Sequence, residues 1–123
     1  MKLFLDDIRD PKHVYPNQKN EDWIVVRSYE EMQRVLFDIR DRADVENWPK
    51  EVSFDYVLGH DSKDGSECAK LLVNMCRQYG LELPVCYVHS SYPGSFKIIS
   101  EVLLRYAKYA GVEASIDLIH HNY

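Results

Sequence analysis

A chain of 123 residues, 46% of them hydrophobic and 28% charged, has the size and composition of one globular domain, 1–123, with a single modest core. A formal charge of −5 argues against extended duplex nucleic acid as a ligand, because such binding draws its affinity from Lys and Arg displacing counterions. No apolar run approaches the ~18 residues of a membrane span, and Met1 to Asp6 turns acidic without a signal-peptide core, so a cytoplasmic protein with no membrane partner is expected.

Lys2 to Asp6 (KLFLD) and Trp23 to Arg27 (WIVVR) read as two strands buried on both faces. Between them, Asp7 to Asp22 is polar and broken by Pro11 and Pro16, so an irregular loop replaces the expected first crossover helix. Ser28 and Glu31 form a capping box, and Met32, Val35, Leu36, Ile39 and Ala43 recur at helical spacing behind it. A turn region at Asn47 to Lys50 leads to a third strand, Val52 to Tyr56, and then to a polar loop, Leu58 to Gly65, holding His60, Asp61 and Asp64. Cys68, Leu71, Leu72, Met75, Cys76 and Tyr79 make a helical stripe that stops at Gly80. Pro84 to His89 (PVCYVH) is the fourth strand. A turn at Ser90 to Gly94 precedes a helix with Phe96, Ile99, Leu103, Tyr106, Ala107 and Ala110 on one face, ended by Gly111. Ala114 to Ile119 reads as a last, edge strand.

This alternation predicts an α/β fold, a three-layer parallel sheet of about five strands with helices on both faces. Ligands of such sheets gather beyond the carboxyl ends of the strands, which selects Asp6 and Asp7, Asp55, and His89 with Ser90. Three carboxylates in one crevice repel each other unless a cation neutralises them or some stay protonated. Asp6, Asp7 and Asp55 therefore suit Mg²⁺ or Mn²⁺, hard ions that take oxygen ligands and leave room for a substrate phosphate. Asp55 sits between Phe54 and Tyr56, where an unpaired charge is costly. His89 has the residue type for proton transfer near neutral pH, while Ser90 and backbone N–H groups at the next helix suit phosphate oxygens. Arg9 either pairs with the acidic cluster or clamps a phosphate. His13, His60, His120 and His121 read as solvated loop or tail residues, and Lys97 as a solvated surface residue. Cys68, Cys76 and Cys86 lack C-x-x-C spacing and read as reduced core residues. No P-loop, dinucleotide or hydrolase-elbow motif occurs.

Four segments, FLDDIRDP at Phe4 to Pro11, SFDYVLG at Ser53 to Gly59, DGSECAKLL at Asp64 to Leu72 and VHSSYPG at Val88 to Gly94, together resemble the cyclic-phosphate-processing receiver-like family. The resemblance implies a receiver, flavodoxin-like topology in which Asp6 and Asp7 are the metal-binding pair and Asp55 the strand-three carboxylate. Ser90 takes the hydroxyl position after strand four. It further implies a metal-dependent phosphoesterase acting on cyclic or terminal phosphates of nucleotides or RNA ends, with Asp55, His89 and Ser90 catalytic and Arg9, Ser90 and Ser91 on the substrate phosphate. Val57 stands where the family pattern has a second acid, Tyr92 where Asn is common, and no Lys-Pro follows in the last strand. These departures point to the alternative, a non-catalytic module that binds a nucleotide or a protein partner through the same face.

Overall fold

The five apolar runs become the strands of one parallel sheet, β1 (Lys2–Leu5), β2 (Trp23–Val26), β3 (Glu51–Phe54), β4 (Val85–Val88) and β5 (Ile119–His121), in the order β2-β1-β3-β4-β5. The computed structural model describes residues 1–18, 22–59 and 63–121. Between the strands lie α1 (Pro11–Val14), α2 (Tyr29–Asp41), α3 (Gly65–Tyr79) and α4 (Ser95–Ala110). The order is that of a receiver, flavodoxin-like α/β fold.

Register divides the sheet residues cleanly. Leu3, Leu5, Val52, Phe54, Cys86 and Val88 face one way, into a core completed by Met32, Leu36 and Ile39 of α2, Leu72 and Met75 of α3, and Ile99 and Leu103 of α4. All three long helices therefore cover one face, whereas the sequence suggested helices on both. The cause is directional: from β2 onward each right-handed crossover moves the same way across the sheet, and only the β1–β2 connection moves the other way.

That connection supplies the third layer. It holds a single helical turn, α1, started by Pro11 and an Asp10 capping box with His13, so it is not wholly irregular. Tyr15, just after α1, packs with Phe4 and Trp23 in a small aromatic core on the second face.

Other boundaries shifted. Ala43 falls outside α2 with a positive φ of 51°, and the segment read as the last strand is mostly a 3-10 turn at Ile116–Leu118, with pairing beginning at Ile119. His120 and His121 thus belong to edge strand β5, and their rings stack on Tyr87 and Phe96. His13 likewise has a structural task, its Nδ1 accepting from the Asp10 N–H at 2.9 Å. His60 and Asp61 lie outside the described residues. The three cysteines are buried and unbridged, and burial pushes the Cys68 and Cys76 thiols up to about 12. No described helix is long and apolar enough to cross a membrane.

Candidate functional site

Strand alternation builds the site. Asp6, Asp55 and His89 lie two residues beyond Phe4, Ser53 and Tyr87, which are neighbours across β1, β3 and β4 on the face opposite the long helices. The ladder continues one step past the strands, with Asp6 N–H donating to Val26, Asp55 N–H to Leu5 and His89 N–H to Phe54. The three side chains consequently emerge together at the carboxyl edge. One ligand atom from each lies within 4.8 Å of the others.

Asp6 is 1% exposed and fully engaged. Its Oδ1 accepts from the N–H groups of Ile8 at 2.9 Å and Arg9 at 2.8 Å, and its Oδ2 accepts from Arg9 Nε at 2.9 Å and faces His89 Nε2 at 3.1 Å. Burial opposes its charge, but His89, the two N–H groups and the Arg9 guanidinium outweigh it and hold the carboxyl well below the usual range. Arg27, at the end of β2, fixes the loop by donating to the Arg9 carbonyl at 2.7 Å and to Asp10 Oδ1 at 2.6 Å. The sequence reading gave Arg27 no role.

His89 is 0% exposed, and its ring stacks on Phe4 with centroids 4.5 Å apart. Its Nδ1 lies 2.6 Å from Ser53 Oγ, which lies 2.7 Å from the Tyr15 hydroxyl. Because Asp6 is ionised, Nε2 carries the proton that it shares with Oδ2. With Nδ1 accepting from Ser53, whose oxygen accepts from Tyr15, every group in the chain Tyr15–Ser53–His89–Asp6 is satisfied. The His89 ring is thus buried and held between Ser53 and Asp6. Ser53 and Tyr15 were missed, although a serine in an apolar strand two residues before Asp55 was a visible signal.

Asp55 behaves oppositely. Burial and the neighbouring Asp6 charge raise its pKa above the ordinary value, against weaker pulls from the Tyr56 N–H, His89 and the Ser90 hydroxyl. Arg9 reaches it only at 3.9 Å. Gly65, at the start of α3, lets the backbone pass close: its N–H donates to the Tyr56 carbonyl at 2.7 Å, and a Cβ there would overlap the Asp55 carbonyl oxygen. Ser90 is buried and turned by its own loop, its Oγ accepting from Tyr92 N–H at 3.2 Å and its carbonyl from Ser95 Oγ at 3.1 Å. Ser91 is exposed beside it and Asp7 is half-buried.

The donor set fits a hard divalent ion in part. Asp55 suits one, since it lies in the close group with Asp6 and His89 and the Arg9 guanidinium comes no nearer to it than 3.9 Å. Asp6 does not in this arrangement, because four donors already fill its roughly four acceptor positions. Asp7 lies outside the close group formed by Asp6, Asp55 and His89.

A family model described as the cyclic-phosphate processing receiver domain matches residues 1–105 of the chain. No curated protein and no solved structure gives a significant match.

Proposed function

The chain belongs to the cyclic-phosphate processing receiver family, and from that premise we propose that it is a phosphoesterase acting on cyclic or terminal phosphates of nucleotides or RNA ends. The observation that carries this reading is the meeting of Asp6, Asp55 and His89 within 4.8 Å at the carboxyl edge of the sheet, where the two carboxylates are shifted in opposite directions, Asp6 held ionised and Asp55 pushed up. Such splitting separates a fixed charge from a group able to exchange protons.

In this reading Asp55 is the general base. A water oxygen attacks phosphorus while Asp55 takes its proton. The P–O bond to the 2′ or 3′ oxygen breaks, the proton passes from Asp55 to that oxygen, and a phosphate monoester remains. Arg9 and the Ser90 and Ser91 hydroxyls hold the phosphate oxygens, while Asp6, oriented through His89, holds Arg9 in place. Asp55 would hold Mg²⁺ or Mn²⁺ through the carboxylate oxygen that does not take the proton, with Asp7 of the β1–β2 connection a further candidate ligand, and the ion would supply positive charge against the phosphate.

Phosphorus NMR of 2′,3′- and 3′,5′-cyclic nucleotides and of RNA with a terminal cyclic phosphate, with Mg²⁺ or Mn²⁺ present, tests this directly. The cyclic resonance should give way to a monoester, and Asp55→Asn should slow the change about 100-fold or more. Absence of turnover by the folded protein with either metal would support the second reading, a non-catalytic phosphate-binding module. That reading is favoured by one observation: His89 has no exposed surface from which to reach a substrate.

A further inference from the structure

Next to the carboxylate cluster runs a groove that the phosphate chemistry uses only at its Ser90–Ser91 end. It has a volume of about 510 Å³ and is lined by Ser90, Ser91, Tyr92, Phe96, Lys97 and His121 among others, within the roughly 300–1,000 Å³ typical of small-molecule sites. Ser90 belongs to both places, since it follows His89 directly at the end of β4 and also lines the groove.

Its lining is aromatic and cationic where the neighbouring cluster is acidic. Phe96, on the first turn of α4, stacks on His121 of β5 with centroids 4.9 Å apart and planes at 20°. Tyr92 is 51% exposed and stacks on Tyr56, with centroids 5.2 Å apart and planes at 17°. Tyr92 of one stacked pair and both Phe96 and His121 of the other therefore line one opening, with rings of the kind on which a planar heterocycle settles. Lys97 is exposed at the same wall, and α4 begins at Gly94 with no side-chain cap and no acidic residue in its first turn. An anion entering here meets no opposing carboxylate from the helix that forms the wall.

We propose that this groove is the nucleoside subsite: it takes the base of a nucleotide or of a single unpaired RNA end, stacked on the rings of Tyr92 or Phe96–His121, while the attached phosphate lies at Ser90 and Asp55. The inference rests on the phosphate reading above and adds to it a requirement for a base. A groove of this size, bordered by exposed rings, takes one splayed base and excludes the paired end of a duplex, in keeping with the chain's net charge of −5.

Two probes separate the inference from its premise: adenosine 2′,3′-cyclic phosphate and methyl riboside 2′,3′-cyclic phosphate, which share phosphate and sugar but differ in the base. Affinities are read by ligand-observed saturation-transfer NMR with Mg²⁺ present. The adenosine probe should bind about tenfold more tightly or better, the size of one base stack. Tyr92→Ala, at an exposed position, and Phe96→Leu, which keeps an apolar side chain against the core, should together bring it down to the affinity of the base-free probe and leave the latter unchanged. Equal affinities in the unmodified protein would overturn the subsite while leaving the phosphate reading intact. Failure of both probes to bind would overturn the phosphate reading and the subsite with it. A loss shared equally by both probes in the variants would also count against the subsite, because it would mark a change in the phosphate site.

Discussion

Replacing either of two neighbouring carboxylates, Asp6 and Asp55, by its amide should change stability in opposite directions. In Asp6→Asn the amide oxygen can still accept from the Ile8 and Arg9 N–H groups, but the NH₂ then faces two donors, Arg9 Nε and His89 Nε2. Leaving such buried charged or polar donors unpaired costs about 3 kcal/mol, which for a domain near this size lowers Tm by roughly 10 °C. Asp55→Asn instead removes a charge that burial and Asp6 both disfavour. It should stabilise by about 0.5–2 kcal/mol, as relief of functional-site repulsion commonly does. The pH dependence follows from the shifts. Asp6, depressed on folding, contributes stability above its ordinary value of 3.8 and loses it as pH falls through its lower folded value. The cost of Asp6→Asn should therefore be complete near neutrality and shrink in acid below about pH 4. Asp55, raised on folding, begins to weaken the fold as pH climbs past 3.8 toward its folded value. The gain from Asp55→Asn should open over that climb and be full above it. Urea unfolding of both variants and the unmodified protein between pH 3 and 8 reads all four trends. Two losses of equal size, or a neutral Asp6→Asn, would refute the assignment of Asp6 as the fixed charge.

Three further outcomes are expected. Ser53→Ala should cost about 2 kcal/mol, because it strands His89 Nδ1 and the Tyr15 hydroxyl together, and Tyr15→Phe about 1 kcal/mol; ¹⁵N NMR should find the proton of the unmodified His89 ring on Nε2. Gly65→Ala should destabilise by about 2 kcal/mol or more, since the new methyl group meets backbone at Asp55 and Tyr56 that cannot move without opening the α3 start; a denaturation midpoint within error of the original would count against that close approach. Arg9→Met removes the cation nearest both carboxylates, so Mn²⁺ affinity, read by electron paramagnetic resonance, should rise about tenfold, one charge's worth of repulsion at short range; unchanged affinity would place the ion away from Asp6 and Asp55.

Asp6, Asp55 and His89 were legible because each ends an apolar run, and the carboxyl ends of parallel strands are where such folds bind ligands. Their division of labour was not. It depends on which atoms are covered, and Arg9, Arg27 and Tyr15 do the covering from a Pro-broken loop and a strand end with no periodicity to reveal their contacts. The tie from Tyr15 to Ser53 spans 38 residues. Helix sidedness was hidden for a different reason: it follows from strand order, and order is not carried by the hydrophobic pattern of separate strands. At β5 the polar pair His120–His121 read as tail because an edge strand needs few apolar residues, so the boundary was drawn too early.

Helix sidedness and site chemistry have a common cause. With every long helix on one face, the other face of β1 and β3 would expose Phe4 and Ser53, and the β1–β2 connection must cover them without a long helix. It does so with Tyr15, whose ring stacks on Trp23 at 5.6 Å and meets Phe4 edge-on at 6.3 Å, while its hydroxyl reaches Ser53. The ring seals the layer and the hydroxyl satisfies the buried polar chain behind the site. A crossover helix over β1 would bring its own apolar face, and the buried Ser53 and His89 would then need partners from that face. The loop that replaces it also carries Arg9 down to Asp6. Its polar, proline-broken sequence is therefore the means by which a carboxylate, a histidine and a serine can be buried together and still be satisfied.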